Sequence, residues 1–563
     1  MWWILRRSRR GALYALGRRR SVRRKQGRVQ DAEAAYGAWV AIVVGGRGTG
    51  MLRLAGAVLV LSAVTLGAAS CVRDPRPPRR ADPPLIARAK PSASGVSVLA
   101  GPPDVLAAGM AHALFSSAPV VVIADAGRPA DVSAAAAQAE WADAPLLLTT
   151  GTAVGAATRA EIGALHPRAV LAVGLGRAAL AAQIRGTRVV TRPTALPTTS
   201  ALPPLGHVVV LVHGGNAAAP VSAAPVAGAQ VAAVGATAAV TTAQVAGAQV
   251  IAVHGFDPRA DPAAITALSA ARPRQVIALG AGFKPIGRLR ARVATAETGV
   301  QLPGGGQVLF PMRRLVALYG HPGTPSLGAL GEQDLPASIA RAKKTAALYR
   351  RLSNVPVIPA FEIIASVAEG HPGSDGSYSY QTPLALLRPW VKRASAAGMY
   401  VVLDLQAGKA SLLAQAKAYK ALLERPNVGL ALDPEWKLQP GQRPLRQIGS
   451  VSASEINSVS GWLARLTARQ HLPQKLLVLH QFRLSMIGNE GAIDTRHDDL
   501  AIVIHMDGQG TPTDKQQTWQ SVTGAAPRHV FFGWKNFYIK DHPMLSPRQT
   551  MARTPKPVMI SYQ

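Results

Sequence analysis

Two hydrophobic patterns divide this chain. Between about residues 95 and 290, apolar runs at 120–123, 146–148, 169–173, 208–212, 250–253 and 275–279 alternate with Ala-rich stretches. Runs this short, many rich in Val and Ile and bounded by Gly, Pro or Asp, predict buried parallel strands. Their alternation with helices predicts an α/β sheet covered on both faces. Residues 214–248 are Ala/Val/Gly-rich and poor in charge, and no element is assigned to them.

From 305 to 563, eight strand-like runs follow one another: 308–310 (with an extension toward 318), 357–361, 400–405, 428–432, 476–479, 500–506, 529–533 and 557–562. Helical patterns occupy 335–352, 383–397, 409–424 and 454–470, the last opening on Ser452-Ala453-Ser454-Glu455, which has the form of a capping box. The later connections, 488–498, 513–523 and 546–553, are short for crossover helices. Eight strands with helices between them, in about 250 residues, predict a (β/α)8 barrel, with an open α/β sheet as the alternative.

At 563 residues the chain exceeds one ordinary domain, and its formal net charge is +32. Eleven of its 62 Lys and Arg residues lie between Arg6 and Arg28. Such an excess attracts anionic polymers, but no compact nucleic-acid motif accompanies it, so nucleic acid is not the expected partner. A single cysteine, Cys71, excludes an intramolecular disulfide. It ends a stretch that begins with Met51-Leu52-Arg53, continues through an apolar run over 54–69, and is followed by Pro/Arg-rich sequence over 74–84. That order matches the n-region, h-region and small-residue cleavage site of a secretory signal, and the apolar run is short for a membrane span. Ala68-Ala69-Ser70-Cys71 resembles a bacterial lipobox, with Ala68 at the position where Leu is usual and Leu66 two residues further back. The resemblance implies lipidation at Cys71, an extracytoplasmic location and a membrane anchor. The expected organisation is then a non-native extension (1–50) upstream of a start at Met51, a signal peptide (51–71), a tether (72–94), an α/β region (95–290) and the barrel (305–563).

Two segments of the α/β region look like copies of one unit. In the first, Ala144-Pro145 opens an apolar strand, a helix follows over 157–165, and His166-Pro167-Arg168 steps into a strand that ends at Gly174. In the second, a strand over 250–253 leads to a helix over 262–271, and Arg272-Pro273-Arg274 steps into a strand that ends at Gly280, with Ala248-Gln249 standing where the first copy has Ala-Pro. The pattern resembles the type 2 cell-wall-binding repeat of Gram-positive surface proteins, which implies an anionic wall polymer or wall polysaccharide as partner. A purely structural α/β domain remains the alternative. Gly174-Leu175-Gly176 and Gly280-Ala281-Gly282 do not complete a dinucleotide-binding G-x-G-x-x-G, and no cofactor is expected.

Candidate chemistry lies at the ends of the barrel strands, where barrel active sites are built. Glu362 closes strand two; Asp404 and Gln406 end strand three; Asp433, Glu435 and Trp436 follow strand four. His480 and Gln481 end strand five, His505 and Asp507 strand six, Trp534, Lys535 and Asn536 strand seven, and Tyr562 strand eight. Residues two apart on a strand share a face, which pairs Asp404 with Gln406, Asp433 with Glu435 and His505 with Asp507. Paired carboxylates suit glycoside hydrolysis. Asp433-Pro434-Glu435 is similar to the Asp-x-Glu ending of several glycosidase barrels, which implies Glu435 as acid, its proton affinity raised by Asp433. The longer acidic motif of chitinase-like barrels is absent, so the likeness stops at these two residues. The candidate catalytic set is Glu435, Asp433 and Asp404, with Trp436 and Trp534 as sugar platforms and the remaining strand-end residues as substrate contacts. Two alternatives stay open. One is a metal-dependent hydrolase using His321, His480 and His505, although strand one lacks His-x-His and strand eight a closing Asp, so no metal is assigned. The other is a non-catalytic wall-associated scaffold or adhesin.

Overall fold

A computed structural model of the chain describes residues 83–90, 94–214 and 227–563. Residues 1–82, with the signal-like stretch, Cys71 and most of the tether, lie outside the described residues. Among the described residues, no helix is long and apolar enough to cross a membrane.

The α/β region builds two four-stranded parallel sheets. One has the order Leu146–Thr149, Val120–Asp125, Ala169–Val173, Arg188–Val190. The other has the order Gln249–Val253, Val208–His213, Gln275–Leu279, Gly95–Leu99. Each sheet places its second strand beside its first, then the third, then a fourth. In the second sheet that fourth place is taken by Gly95–Leu99, the earliest of the eight strands. The duplication extends to backbone detail. The helices Ala156–Leu165 and Pro262–Ala271 end on residues in the left-handed conformation, His166 (φ 49°) and Arg272 (φ 42°). Proline follows each and prevents the helix from continuing. The next amide then bonds the carbonyl just before the first strand: Arg168 N to Pro119 O, and Arg274 N to His207 O, each 2.9 Å. The basic Pro-Arg step is therefore a helix stop and a strand aligner in both copies. Part of the unassigned stretch is a helix, Ala227–Val245.

The second region is the expected barrel. Its strands are Arg314–Gly320, Val357–Ala368, Tyr400–Leu405, Val428–Leu432, Lys475–Gln481, Leu500–Met506, Phe531–Asn536 and Met559–Tyr562, numbered one to eight here. Each pairs parallel with the next, and strand one pairs with strand eight to close the cylinder. Helices Leu335–Ala347, Leu384–Ala396, Leu412–Ala418 with Lys420–Leu423, Ala453–Arg469, Pro512–Ala525 and Pro547–Met551 fill the connections. Strands five and six are joined by two 3-10 turns instead of an α-helix.

One strand assignment is corrected. Residues 308–310 are not strand one; Leu309 and Phe310, with Leu302, fill the barrel floor against Leu315, Tyr400, Leu476 and Met559. Pro311 follows at once, and buried Arg313 holds this segment by donating to the carbonyls of Pro303, Gly305 and Val308. An apolar run bounded by Gly and Pro fits a plug as well as a strand, and periodicity does not separate the two.

The barrel and the α/β region meet through an ion cluster. Arg259, 2% exposed, donates to Asp257 (2.9 Å) and to Asp498 (2.7 Å). Arg292 reaches the same two carboxylates, at 3.2 Å and 2.6 Å. Asp498 belongs to the connection before strand six. Removing one partner of a buried pair leaves the other charge poorly solvated. Asp257 still pairs with both arginines, so Asp498→Asn is expected to lower unfolding stability by about 1–2 kcal/mol. Denaturant melts should show the loss, and an unchanged midpoint would mean that the cluster contributes nothing.

Candidate functional site

Inward-facing residues alternate along each barrel strand. The lower lumen is apolar, filled by Leu315, Ala317, Ala360, Val402, Ala431, Val478, Val503 and Met559. One step above, the same register continues in polar residues: Tyr319, Glu362, Asp404, Asp433, His480, His505, Lys535 and Ser561. All are 0–1% exposed. Several of their contacts join strands that are not neighbours, which places those contacts across the lumen. Tyr319 of strand one donates to Asp404 Oδ2 of strand three at 2.9 Å, and Gln406 Nε2 donates to the Tyr319 hydroxyl at 3.2 Å. His480 of strand five places Nε2 3.1 Å from Glu362 of strand two and Nδ1 3.2 Å from Asp507, which follows strand six. The Lys535 ammonium of strand seven lies 3.0 Å from Asp507 and 3.5 Å from the Tyr319 ring centroid. Glycine makes the room: a Cβ at Gly533 would stand 2.4 Å from the His505 ring, so any other residue there would collide with it.

These contacts fix protonation. His480 Nε2 is hydrogen-bonded to Glu362, and Nδ1 lies at ion-pair distance from Asp507, a setting that favours the imidazolium. Burial alone would discharge it, but Glu362 and Asp507 hold its pKa well above the usual value. Burial likewise works against charge on Lys535, and Asp507, Glu362 and Asp433 keep it protonated. Glu362 and Asp507 stay ionised: burial opposes their charge, but His480 outweighs it at Glu362, and Lys535 with His480 at Asp507. His505 is neutral, with Nε2 3.2 Å from Ser561 Oγ and a pKa pushed down to about 3, chiefly by burial.

The remaining carboxyls go the other way. Burial, with Glu362 nearby, raises Asp404 to about 6. Burial and Asp404 raise Asp433 well above the usual value. Glu435, the half-buried member at the mouth, is raised to about 7 by burial and by Asp507. Burial is the larger cause at Glu435, and the repulsion between Asp433 and Glu435 adds to the raised proton affinity of Asp433. Asp433 also accepts the Glu435 amide at 3.2 Å and caps the 3-10 turn Pro434–Trp436, which places Glu435.

Several strand-end residues do not join this cluster. Gln481 and Tyr562 have outward parity: Gln481 donates to Glu490 at 2.8 Å, and Tyr562 pairs hydroxyls with Tyr349. Trp534 is fully buried against Trp519, ring centroids 5.5 Å apart, and donates to Asn536; Trp436 is 6% exposed. Neither indole offers a sugar platform, which corrects that expectation. The three histidines do not converge either: His321 is bonded to Thr324 and Thr382, away from His480 and His505. Among the described residues, no group of three or more His, Cys, Asp or Glu is arranged to hold a metal. Tyr319 and Ser561 were missed. Both sit on inward parity, Tyr319 two residues beyond Ala317 on strand one and Ser561 two beyond Met559 on strand eight, a parity that strands buried on both faces do not show in the sequence.

No family model matches the chain, and no curated protein does. Two solved structures are similar in part. The xylanase and alpha-amylase inhibitor protein of Scadoxus multiflorus is 13% identical, over 44% of this chain and 92% of that one, with a TM-score of 0.27. Cwp6 from Clostridium difficile is 15% identical, over 69% of this chain and 63% of that one, with a TM-score of 0.18. The barrel assignment rests on the strand pairings themselves.

The raised carboxyls make stability depend on pH. Folded Asp404 keeps its proton up to about pH 6, whereas the unfolded chain releases it near 3.8. Its contribution is complete below the unfolded value and is lost as pH rises through the folded one. Asp404→Asn, which still accepts from Tyr319, should remove on the order of 2 kcal/mol of the stability decline between pH 4 and 6. Thermal melts across that window test this, and parallel curves for the two proteins would refute the assignment.

Proposed function

We propose that this chain is an exported envelope protein, lipid-anchored through Cys71, that binds cell-wall carbohydrate and hydrolyses it at the mouth of the barrel, with Glu435 as general acid. One observation carries the catalytic part of the proposal. Two carboxyls near the mouth are driven in opposite directions, Glu435 up to about 7 and Asp507 below the usual carboxylate range. A pair separated in this way supplies an acid and an ionised partner at one pH, which glycoside hydrolysis requires. Glu435 protonates the leaving oxygen as the glycosidic C–O bond breaks, and water adds to the anomeric carbon and releases a proton that restores the acid. Asp507, charged and 8% exposed at its side chain, stabilises the positive charge that develops on the sugar. Asp433 positions Glu435 through the turn that it caps, and Asp404 with Tyr319 supports the cluster from below. Attachment to a wall polymer falls to the duplicated α/β region, a role supported by its likeness to the wall-binding repeat.

A second reading has its own support. Trp436 and Trp534 are buried, and Glu362, Asp404, His480 and His505 have no exposed surface. A barrel filled in this way also suits a non-catalytic wall scaffold.

Hydrolysis of purified wall polysaccharide and peptidoglycan fragments separates the two. Wild type should release product, Glu435→Gln should lose at least about 100-fold in rate, and the wild-type rate should fall as pH rises through about 7, where Glu435 loses its proton. Equal rates for the two proteins would remove Glu435 from the chemistry. No product from either, with polymer binding retained, would establish the scaffold.

A further inference from the structure

Beside the barrel mouth, and apart from the charged lumen, lies a cleft of about 600 Å³. It runs between the loop after strand one and the first turns of the helices Leu335–Ala347 and Leu384–Ala396. Its size falls in the range that takes a small organic ligand. One wall is apolar, formed by Leu335, Leu386, Leu387 and Trp390. Leu386 is 59% exposed, and the Trp390 ring is fixed by packing on Phe361, centroids 5.7 Å apart. The opposite rim carries Glu332 and Asp334. His321 also lines the cleft, its ring nitrogens bonded to Thr324 and Thr382 and its pKa lowered by burial, which favours the neutral ring.

The charge of this lining is unlike that of the rest of the molecule. The chain has 62 Lys and Arg against 30 Asp and Glu, yet no Lys or Arg lines the cleft. Arg341, behind the rim, pairs with Glu332 at 2.5 Å and donates to Gln333 at 2.9 Å. A held indole face beside carboxylate acceptors fits a ligand with one apolar face and several hydroxyl donors at its edge.

We propose that this cleft binds a neutral pyranose unit of a glycan, stacked on Trp390 and hydrogen-bonded by Glu332 and Asp334, as an accessory site separate from Glu435. The inference rests on the proposed function for its ligand class only. A glycan held here is tethered beside the mouth, which raises its effective concentration there without any contact to the lumen.

The test is calorimetric titration of the full chain carrying Glu435→Gln, so that binding is read without turnover. The probes are two neutral oligosaccharides, a β-1,4-linked N-acetylglucosamine tetramer and a cello-oligosaccharide of equal length. Saturable binding of either, weakened about ten-fold or more by Trp390→Ala and by Leu386→Glu, is the expected result. Leu386 is exposed, so its variant keeps the test valid if Trp390→Ala fails to fold. Binding that both variants leave intact, or no binding of either probe, overturns the cleft assignment. The catalytic reading is judged separately: loss of hydrolysis in Glu435→Gln alongside cleft-independent binding keeps the acid and removes the cleft. Binding that depends on Trp390 without any hydrolysis does the reverse.

Discussion

A protein interior accepts an ionised group only where an opposite charge stands in contact with it, and the upper lumen of this barrel is organised around that condition. Two cations, His480 and Lys535, face two ionised carboxylates, Glu362 and Asp507, within 3.0–3.2 Å. Three further carboxyls, on Asp404, Asp433 and Glu435, hold protons at mildly acidic pH, so the set is neutral as a whole. Neutrality is what lets eight strands converge on charged side chains where many barrels place branched aliphatic ones. It also couples the members. A proton gained or lost by one changes the energy of every other, because little water is present to screen them.

The same condition explains why the apolar lower lumen and its floor matter to the chemistry above. Leu302, Leu309 and Phe310 close the bottom of the cylinder, and Leu315, Tyr400, Leu476 and Phe531 meet them there. Without that closure, water would reach the charges from below, and the burial that raises Glu435 and Asp404 would weaken. The floor segment is held by Arg313, and the ion cluster of Arg259, Arg292 and Asp498 holds the α/β region to the barrel a few residues before strand six. The duplicated sheets and the charged lumen are thus mechanically connected, although their chemistry is separate.

Much of this was legible in the chain, and the failures share a cause. The eight-strand rhythm, the Pro-Arg steps of the two sheets, and seven of the lumen residues (Glu362, Asp404, Asp433, His480, His505, Asp507 and Lys535) follow from run length and strand ends. Parity was not legible. A strand buried on both faces shows no alternation, so nothing in the sequence says which of two adjacent polar residues faces inward. Strand ends therefore group Gln481 with His480 and Trp534 with Lys535, and point to Tyr562 instead of Ser561. The plug formed by Leu309 and Phe310 was read as a strand for a related reason: three apolar residues carry no period at all. Asp507, one of the charges that act on Glu435, lies 72 residues from it in sequence. Local spacing reveals Asp433 but not this distant partner.

The position of Glu435 shows how these constraints combine. Strand four ends at Leu432, and Asp433 turns the chain into a 3-10 turn, so Glu435 leaves the strand's alternation and stands above the packed layer instead of within it. Had the strand continued, Glu435 would have entered the lumen as another buried carboxyl, neutral but closed off from any substrate. Had the turn carried it further out, solvent would have returned its pKa to the usual range. The turn is short because Pro434 fixes its first backbone angle and the Asp433 side chain holds the amide two residues on. The loop that returns over it adds a hydrogen bond from Gly449 N to Glu435 O at 2.7 Å. A Cβ at Gly449 would stand 2.2 Å from the Lys437 carbonyl, so that close approach requires glycine. A half-buried carboxyl with a raised proton affinity is thus the product of a capped turn, a close glycine contact and a neutral lumen beneath, and all three are needed to keep it there.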